Sequence, residues 1–233
     1  MKKKIKAPGT FSKISGYIAA VFFALYVFID VAAKLITIFT NDSFSTIYVN
    51  FSADRYLLYA AFIFAALLLL FKNVKLLPIP FAVYMGLECF WFISSIISIV
   101  KHNLSINISS VLYRFVNLTY GLGFLLMVIM VVLALIKATR KITVVWFIPV
   151  IVIGLASLLC VTADVISVVG YLIDGILSHM MGIILLVHIP TVIEAAVLLI
   201  ATVFTGIAIR AYAKQKMFDD ENKPVGEDVV IEK

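Results

Sequence analysis

The chain has 233 residues, of which 64% are hydrophobic and only 14% are charged, and its mean hydropathy is +1.14. A soluble domain of this length has about a quarter charged and about half apolar residues, so the composition excludes a soluble globular domain. The formal net charge of +6 does not indicate nucleic-acid binding, because most basic residues flank long apolar runs.

Successive apolar runs are each long enough to cross a hydrocarbon core of about 30 Å. Lipid offers the backbone no hydrogen-bond partner, so such runs form helices or a closed barrel, and continuous rather than alternating apolar sequence favours helices. We predict an all-α polytopic membrane protein with spans at residues 15–39, 55–72, 77–100, 111–136, 143–163 and 190–210.

The N-terminal sequence "MKKKIKAPGTFSKISGYIAAVFFALYVF" has the basic flank of a signal peptide. Its apolar run is too long for a signal peptide, and no convincing cleavage site of small residues follows. We therefore expect a retained first span, preceded by a basic N-terminus at residues 1–14.

Basic connections alternate with polar ones along the chain. "FKNVKLLP" and "IKATRK" follow the second and fourth spans, and "AIRAYAKQK" ends the sixth. Positive residues favour the cytoplasmic side, which predicts a multi-pass protein of the cell membrane with both termini cytoplasmic. In this orientation, the basic residues that do not lie on the cytoplasmic side are Lys34, Arg55, Lys101 and Arg114.

The same pattern divides the predicted membrane domain, residues 15–213, into three consecutive helical hairpins. They cover residues 15–72, 77–136 and 143–210, and the second and third reopen with an early proline. Descent from a repeated hairpin is a hypothesis that this pattern favours.

Two segments depart from the hairpin pattern. Glycines interrupt residues 165–189 and Pro190 follows them, which favours an interfacial helix, with a shallow re-entrant hairpin as the alternative. Residues 214–233 are acidic and polar, which predicts a disordered cytoplasmic tail.

Asp30 and Lys34 are charged residues within the first span, one helical turn apart. At a rise of about 1.5 Å per residue, both lie in its outer part, where Lys34 can reach the interface and pair with Asp30. A paired interfacial anchor accounts for both residues, and contact with a ligand is the alternative.

Glu88 lies near the middle of the third span, roughly 17 Å from its start. An acid at the centre of a membrane costs about 2.5–3.5 kcal/mol on insertion scales, so such residues usually face a cavity or a partner. One interpretation is a protonated Glu88 that hydrogen-bonds a neighbouring helix. The other is a group that binds a ligand or a proton.

Further polar and ionisable residues map to the outer half of the spans. Glu194 lies roughly 24 Å from the cytoplasmic edge, and the remaining members of this set are Asp164, His188, Arg114 and Asn117. This asymmetry predicts an outward-facing polar vestibule with a closed floor. The alternative is that these residues are polar only because they lie at an interface.

No metal site is predicted, because the spacing of His179, His188, Asp174 and Glu194 matches no familiar set of ligands. Cys89 and Cys160 lie within apolar spans and predict neither a disulfide nor a metal site. Pairs of alanines at four-residue spacing predict helix-packing faces; they are Ala20 with Ala24 and Ala61 with Ala65. The glycines of "YGLG", residues 120–123, indicate packing or loosening of the fourth span.

The chain contains no sequence motif of a hydrolase, a nucleotide-binding protein or a dinucleotide-binding protein. The connections are too short to hold a catalytic domain, so we expect neither an enzyme nor a cofactor. A novel intramembrane enzyme remains open.

Two resemblances bear on function. The short hairpins joined by "KNVK" and "KATRK", with proline-opened spans, resemble a set of six-span membrane proteins of Gram-positive bacteria whose activity is unassigned. The chain also resembles the S components of energy-coupling-factor vitamin transporters. "AVFFA", with Ala20 and Ala24, is similar to the face by which their first span docks a transmembrane coupling subunit.

We therefore expect a non-catalytic membrane component that binds or transports a small solute. Its candidate contacts are Glu88, Glu194, Asp30, Lys34 and His188. The alternative is a structural or assembly protein that acts through its helix faces and tail. The expected partners are the lipid bilayer and either another membrane protein or a second copy of the chain.

Overall fold

The computed structural model describes residues 7–39, 53–102, 108–136, 139–173 and 188–222. Helices account for nearly all of these residues, and no β-strand occurs within the described ranges. The α-helices are α1 (Thr10–Phe39), α2 (Ala53–Leu70), α3 (Pro78–His102), α4 (Ile108–Leu135), α5 (Thr139–Val145), α6 (Phe147–Ile173) and α7 (Ile189–Asn222), with a 3₁₀ turn at Val74–Leu76.

Six segments within these ranges are long and apolar enough to cross a membrane. They are α1, α2, α3, α4, α7 and the unit formed by α5 and α6. This confirms the predicted all-α fold with six candidate spans. The cytoplasmic placement of the termini and the descent from a repeated hairpin stay predictions.

The spans form a closed ring in the order of the chain. Each span packs against the next, α4 contacts α6 across the short α5, and α7 closes the ring against α1. One end of the ring carries the turns after α2 and α4. We call it the basic end, since it holds Lys13, Lys72, Lys75, Arg140, Lys141 and Arg210; the other is the distal end.

Prolines in the first turn open α3, α6 and α7. The first four N–H groups of a helix have no intrahelical acceptor, so a proline is tolerated there. Pro149 also explains why α5 and α6 are separate helices, because it cannot donate to the carbonyl of Val145 and the helix is interrupted at Trp146.

The fifth span is longer than its predicted range of 143–163. It runs from α5 through Ile173 at the end of α6, so Asp164 lies inside a helix and not at its end. The first part of the predicted interfacial segment therefore continues α6. The choice between an interfacial and a re-entrant form concerns residues 174–187, which lie outside the described residues.

The last helix extends into the stretch predicted as a disordered tail. α7 continues to Asn222, and its 34 residues measure about 51 Å. Lys216 Nζ donates to the carbonyl oxygens of Ala134 at 3.3 Å and Leu135 at 3.0 Å. These last carbonyls of α4 lack helical donors, so the lysine caps α4 and docks the end of α7. Residues 223–233 lie outside the described residues.

An aromatic cluster fills the centre of the ring between α1, α2, α3 and α4. Phe62 packs on Tyr84 with ring centroids 4.9 Å apart, and Tyr84 packs on Phe124 at 4.3 Å. Phe23 and Phe81 extend the cluster, and all four phenylalanines are fully buried. Aromatic pairs at these separations stabilise a core beyond their buried area.

One of the two glycines of "YGLG" sets how closely α4 approaches α6. A Cβ atom on Gly123 would collide with Ile153 Cγ1 on α6 and lie 3.4 Å from the Ile153 backbone nitrogen. A Cβ atom on Gly121 would make ordinary contacts of 3.5–3.8 Å with α3. Gly123 therefore permits the α4–α6 contact, whereas the space around Gly121 would also accommodate a Cβ atom.

We expect Gly123→Ala to lower the free energy of unfolding by about 1–3 kcal/mol, because the added methyl forces α4 and α6 apart. Gly121→Ala is the matched control and should cause no loss of stability. The measurement is unfolding by SDS in mixed micelles, followed by tryptophan fluorescence. Equal stability of the two variants would contradict the assigned α4–α6 contact.

Candidate functional site

A cavity of about 460 Å³ lies within the ring, in the half toward the distal end. All six spans contribute to its lining, and the aromatic cluster borders it on the side of the basic end. The lining residues are Tyr26, Asp54, Arg55, Tyr84, Glu88, Trp91, Tyr113, Val116, Asn117, Tyr120, Cys160, Asp164, Thr191, Glu194, Ala195 and Leu198. The volume is in the range of pockets that bind small organic molecules.

Glu88 lies in the cavity wall on α3 and is only 3% exposed. Its Oε2 has no hydrogen-bond partner among the described residues. The carboxyl interacts with the side chain of Tyr84, one turn earlier on the same helix. A buried carboxyl oxygen without a partner is rare in folded proteins, so Glu88 is a candidate ligand contact in this wall.

Glu194 joins the same wall from α7, so the structure brings together the two acids that the sequence analysis placed inside spans. The backbone beside it is held in place, because Ser157 Oγ donates to the Ala195 carbonyl at 3.3 Å. Ser157 is also 3.0 Å from the hydroxyl of Tyr120. These contacts link α4, α6 and α7 at the level of Glu194.

Asp164 connects α6 to both neighbouring spans. Its Oδ1 accepts a hydrogen bond from the Tyr113 hydroxyl at 2.6 Å and lies 2.6 Å from His188 Nδ1. Asp164 is buried, and its Oδ2 has no partner among the described residues. His188, a predicted ligand contact, therefore positions Asp164 and does not itself line the cavity.

Asp30 is the centre of a network between α1 and α2. Lys34 Nζ lies 3.0 Å from Asp30 Oδ2, and the Tyr59 hydroxyl donates to the same oxygen at 2.7 Å. Lys34 also donates to Tyr59 at 2.6 Å, and an Arg55 nitrogen lies 3.7 Å from Asp30. The Lys34 side chain is only 13% exposed, so it lies within the network. The predicted pair exists, but it does not line the cavity.

Arg55 and Asp54 bring α2 into the cavity wall beside α3. The Arg55 guanidinium lies 5.2 Å from the centroid of the Trp91 ring, and Trp91 Nε1 donates to Asp54 Oδ2 at 2.7 Å. Arg55 is thus stacked on Trp91 and directed at Asp30. It is the single basic residue in the lining, against four acidic residues.

The remaining predicted residues have mixed placements. Asn117 lines the cavity, whereas Arg114 lies outside it and donates to Ser95 at 2.8 Å. Of the predicted packing alanines, Ala20, Ala61 and Ala65 are buried and Ala24 is exposed. A face made of Ala20 and Ala24 together is therefore not open to a partner. Within the described residues, no cluster of three His, Cys, Asp or Glu could hold a metal ion.

Most of the aromatic wall was not predicted from the sequence. A signal was present, because Tyr84, Glu88 and Trp91 have the i, i+4, i+7 spacing of one helix face. Residues 113, 117 and 120 repeat this spacing on α4 and also line the cavity. Arg55 carried no such signal, because its position at the start of a span is equally suited to an interfacial residue.

The six apolar helices define the class of this protein, an integral membrane protein of the helical multi-pass type. No family model matches the chain, and comparison with curated proteins and with solved structures gives no match. Because one fold can carry many functions, function has to be argued from the geometry and chemistry of the cavity.

Proposed function

We propose that this protein binds a small organic cation in the cavity and serves as a non-catalytic binding or transport component for it. The observation that carries the proposal is the buried Glu88 carboxyl, whose Oε2 has no partner among the described residues, in a wall of a 460 Å³ cavity. Ionisable residues inside membrane spans commonly mark solute and ion pathways.

The balance of charge in the wall favours a cation. Asp54 is bonded to Trp91, Asp164 is bonded to Tyr113, and Arg55 is directed at Asp30. Glu88 and Glu194 face the cavity with no basic side chain bonded to them in the described structure, and Arg55, whose charge acts on both, is outnumbered by the four acidic residues of the described lining. A ligand with one positive group would compensate the desolvation of such carboxyls.

The aromatic content of the wall favours an organic cation. Four tyrosines and Trp91 contribute to the lining. Aromatic faces bind ammonium groups, including quaternary ones, through the negative charge of their π-systems. An inorganic cation would require a cluster of oxygen ligands, and no group of three acidic or histidine side chains in the described structure provides one.

Transport would require the aromatic cluster to open. Phe62, Tyr84 and Phe124 separate the cavity from the basic end, and Tyr84 belongs to both the cluster and the cavity wall. A ligand that contacts Tyr84 can therefore bias the packing of the cluster. The resemblance to S components implies a different mode of transport, in which a partner subunit in the membrane drives release of the bound solute.

The test is a thermal-shift titration of the purified protein with choline, its neutral isostere 3,3-dimethyl-1-butanol, and butyrate. We expect choline to raise the melting temperature and the other two probes to have no effect. Glu88→Gln should weaken choline binding at least about tenfold, since it removes the charge without changing the size of the side chain. The matched control, Asp220→Asn, removes an exposed acid on α7 and should bind like the wild type.

Uptake of radiolabelled choline into proteoliposomes distinguishes transport from binding alone. Glu88-dependent binding of the neutral isostere would overturn the preference for a cation and retain a solute site. The binding proposal is wrong if two results are found together. Neither choline nor its isostere shifts the melting temperature, and uptake of radiolabelled choline is the same in the wild type, Glu88→Gln and Glu88→Ala.

The competing proposal is a structural or assembly protein. The observation that favours it is the exposed acidic end of α7, Asp219 to Glu221, which extends beyond the carbonyls of α4. In that case, the effects of Glu88 variants should follow protein stability alone. Substitution of the acidic end should instead remove a co-purifying membrane partner. Choline binding should be undetectable in every variant.

A further inference from the structure

A second cavity, of about 330 Å³, lies at the basic end between α1, α2 and α7. It is separate from the cavity that holds Glu88 and shares no lining residue with it. The lining residues include Lys13, Tyr17, Lys72, Ala211, Tyr212 and Gln215. Small and apolar residues form much of this wall, while two lysines and three hydroxyl groups supply the polar part.

The charge of this cavity is positive. Lys13 and Lys72 are both exposed, and no acidic residue is among the described residues that line this cavity. The nearest acid by sequence on the adjoining helix face is Asp219, which accepts a hydrogen bond from Gln215 at 2.7 Å. The first turn of α1, which carries Ser12 and Lys13, adds the partial positive charge of a helix N-terminus.

The backbone around Lys72 directs this side chain toward α1. Lys72 has φ +54°, and the chain reverses there through hydrogen bonds from Lys72 N to Leu69 O at 3.1 Å and from Asn73 N to Leu68 O at 2.7 Å. The Lys72 ammonium group lies 5.5 Å from the centroid of the Tyr17 ring. A left-handed conformation is unfavourable for lysine, and it places the ammonium group at the rim of the cavity.

The cavity lies at the depth of lipid headgroups. Lys13 stands in the first turn of α1, and Lys72 stands just after the end of α2. Between Ile189 and Ala208, α7 advances about 28 Å, close to the thickness of a hydrocarbon core of about 30 Å. Its C-terminal part, with Tyr212 and Gln215, therefore reaches the headgroup region.

We propose that this second cavity is a binding site for an anionic phospholipid, with the phosphate held between Lys13 and Lys72. Basic pockets between membrane helices bind anionic lipid headgroups. The apolar part of the wall favours a lipid over a free anion, because it offers acyl-chain carbons a surface beside the charged rim. This inference does not depend on the proposed ligand of the Glu88 cavity.

The test measures the melting temperature of the purified protein in detergent micelles with phosphatidylglycerol, phosphatidylcholine or inorganic phosphate. We expect phosphatidylglycerol to raise the melting temperature and the other two probes to have little effect. The shift should fall by more than half in Lys13→Gln/Lys72→Gln. The matched control, Arg140→Gln/Lys141→Gln, removes two exposed charges at the same end outside this cavity and should retain the shift.

A second variant, Ala211→Leu, fills the cavity without changing its charge and should also lose the shift. Equal losses in the two charge variants would overturn the proposal in favour of diffuse attraction at the basic end. An equal shift from inorganic phosphate would replace the lipid with a soluble anion, and an equal shift from phosphatidylcholine would show that the lysines are not used. Glu88→Gln should keep the full lipid effect, which separates this test from that of the proposed function.

Discussion

Replacement of Asp30 by alanine is expected to lower the free energy of unfolding by about 3–5 kcal/mol. The Asp30 carboxylate accepts from Lys34 and Tyr59 and faces Arg55, and it is buried between α1 and α2. Without it, Lys34 and Arg55 lose the carboxylate that lies between them, and the Tyr59 hydroxyl loses its acceptor. Removal of one partner of a buried ion pair is costly for this reason.

The measurement is unfolding by SDS in mixed micelles, with near-ultraviolet circular dichroism as a second probe. Asp30→Asn keeps an oxygen acceptor for Tyr59 and should lose less stability than Asp30→Ala. The double variant Asp30→Ala/Lys34→Met also removes the ammonium group that Asp30 contacts and should recover part of the loss. A change of less than about 1 kcal/mol in Asp30→Ala, or no recovery in the double variant, would show that the network does not hold α1 to α2.

Replacement of Glu88 by leucine is expected to separate function from stability. The carboxyl is buried and its Oε2 lacks a partner among the described residues, so an apolar side chain of similar size removes an unfavourable group. We expect the free energy of unfolding to stay the same or rise by about 1–3 kcal/mol. Choline binding should be lost in the same variant, because the negative charge that faces the ligand is absent.

The control for this prediction is Asp164→Leu. Asp164 is equally buried, but its Oδ1 accepts from Tyr113 and contacts His188, so its removal should destabilise the protein. Stability and choline binding of both variants are measured together. A clear loss of stability in Glu88→Leu would mean that the carboxyl holds helices together, and it would favour the structural alternative over the binding site. A stabilised protein without function is the pattern expected of a site that natural selection keeps for binding.

The six spans were predictable from the sequence because their length and apolar character follow from the thickness of a bilayer. The Asp30–Lys34 pair was predictable for a local reason, since residues four apart on a helix always lie on the same face. The depth of Glu88 followed from the rise of a helix. Its place in a cavity wall was only one of two interpretations.

The end of the fifth span was misplaced by the same local reasoning. The predicted fifth span ended at residue 163, just before the charged Asp164, yet α6 continues past it to Ile173. Tyr113 and His188 satisfy the carboxylate inside the ring. Neither contact has a sequence spacing that predicts it, because both come from other helices.

The choice of which helix faces point inward was decided by the tertiary structure alone. Lipid is as apolar as a leucine core, so hydrophobicity does not separate buried from lipid-facing residues in a span. Phe23 is fully buried whereas Phe28, on the same helix, is exposed, although both look alike in the sequence. Arg55, Trp91 and Tyr113 became parts of one site only when the closed ring set the rotation of each helix about its axis. The membrane environment, the number of spans and the Asp30–Lys34 pair thus followed from the sequence alone, whereas the cavity followed from the packing between helices.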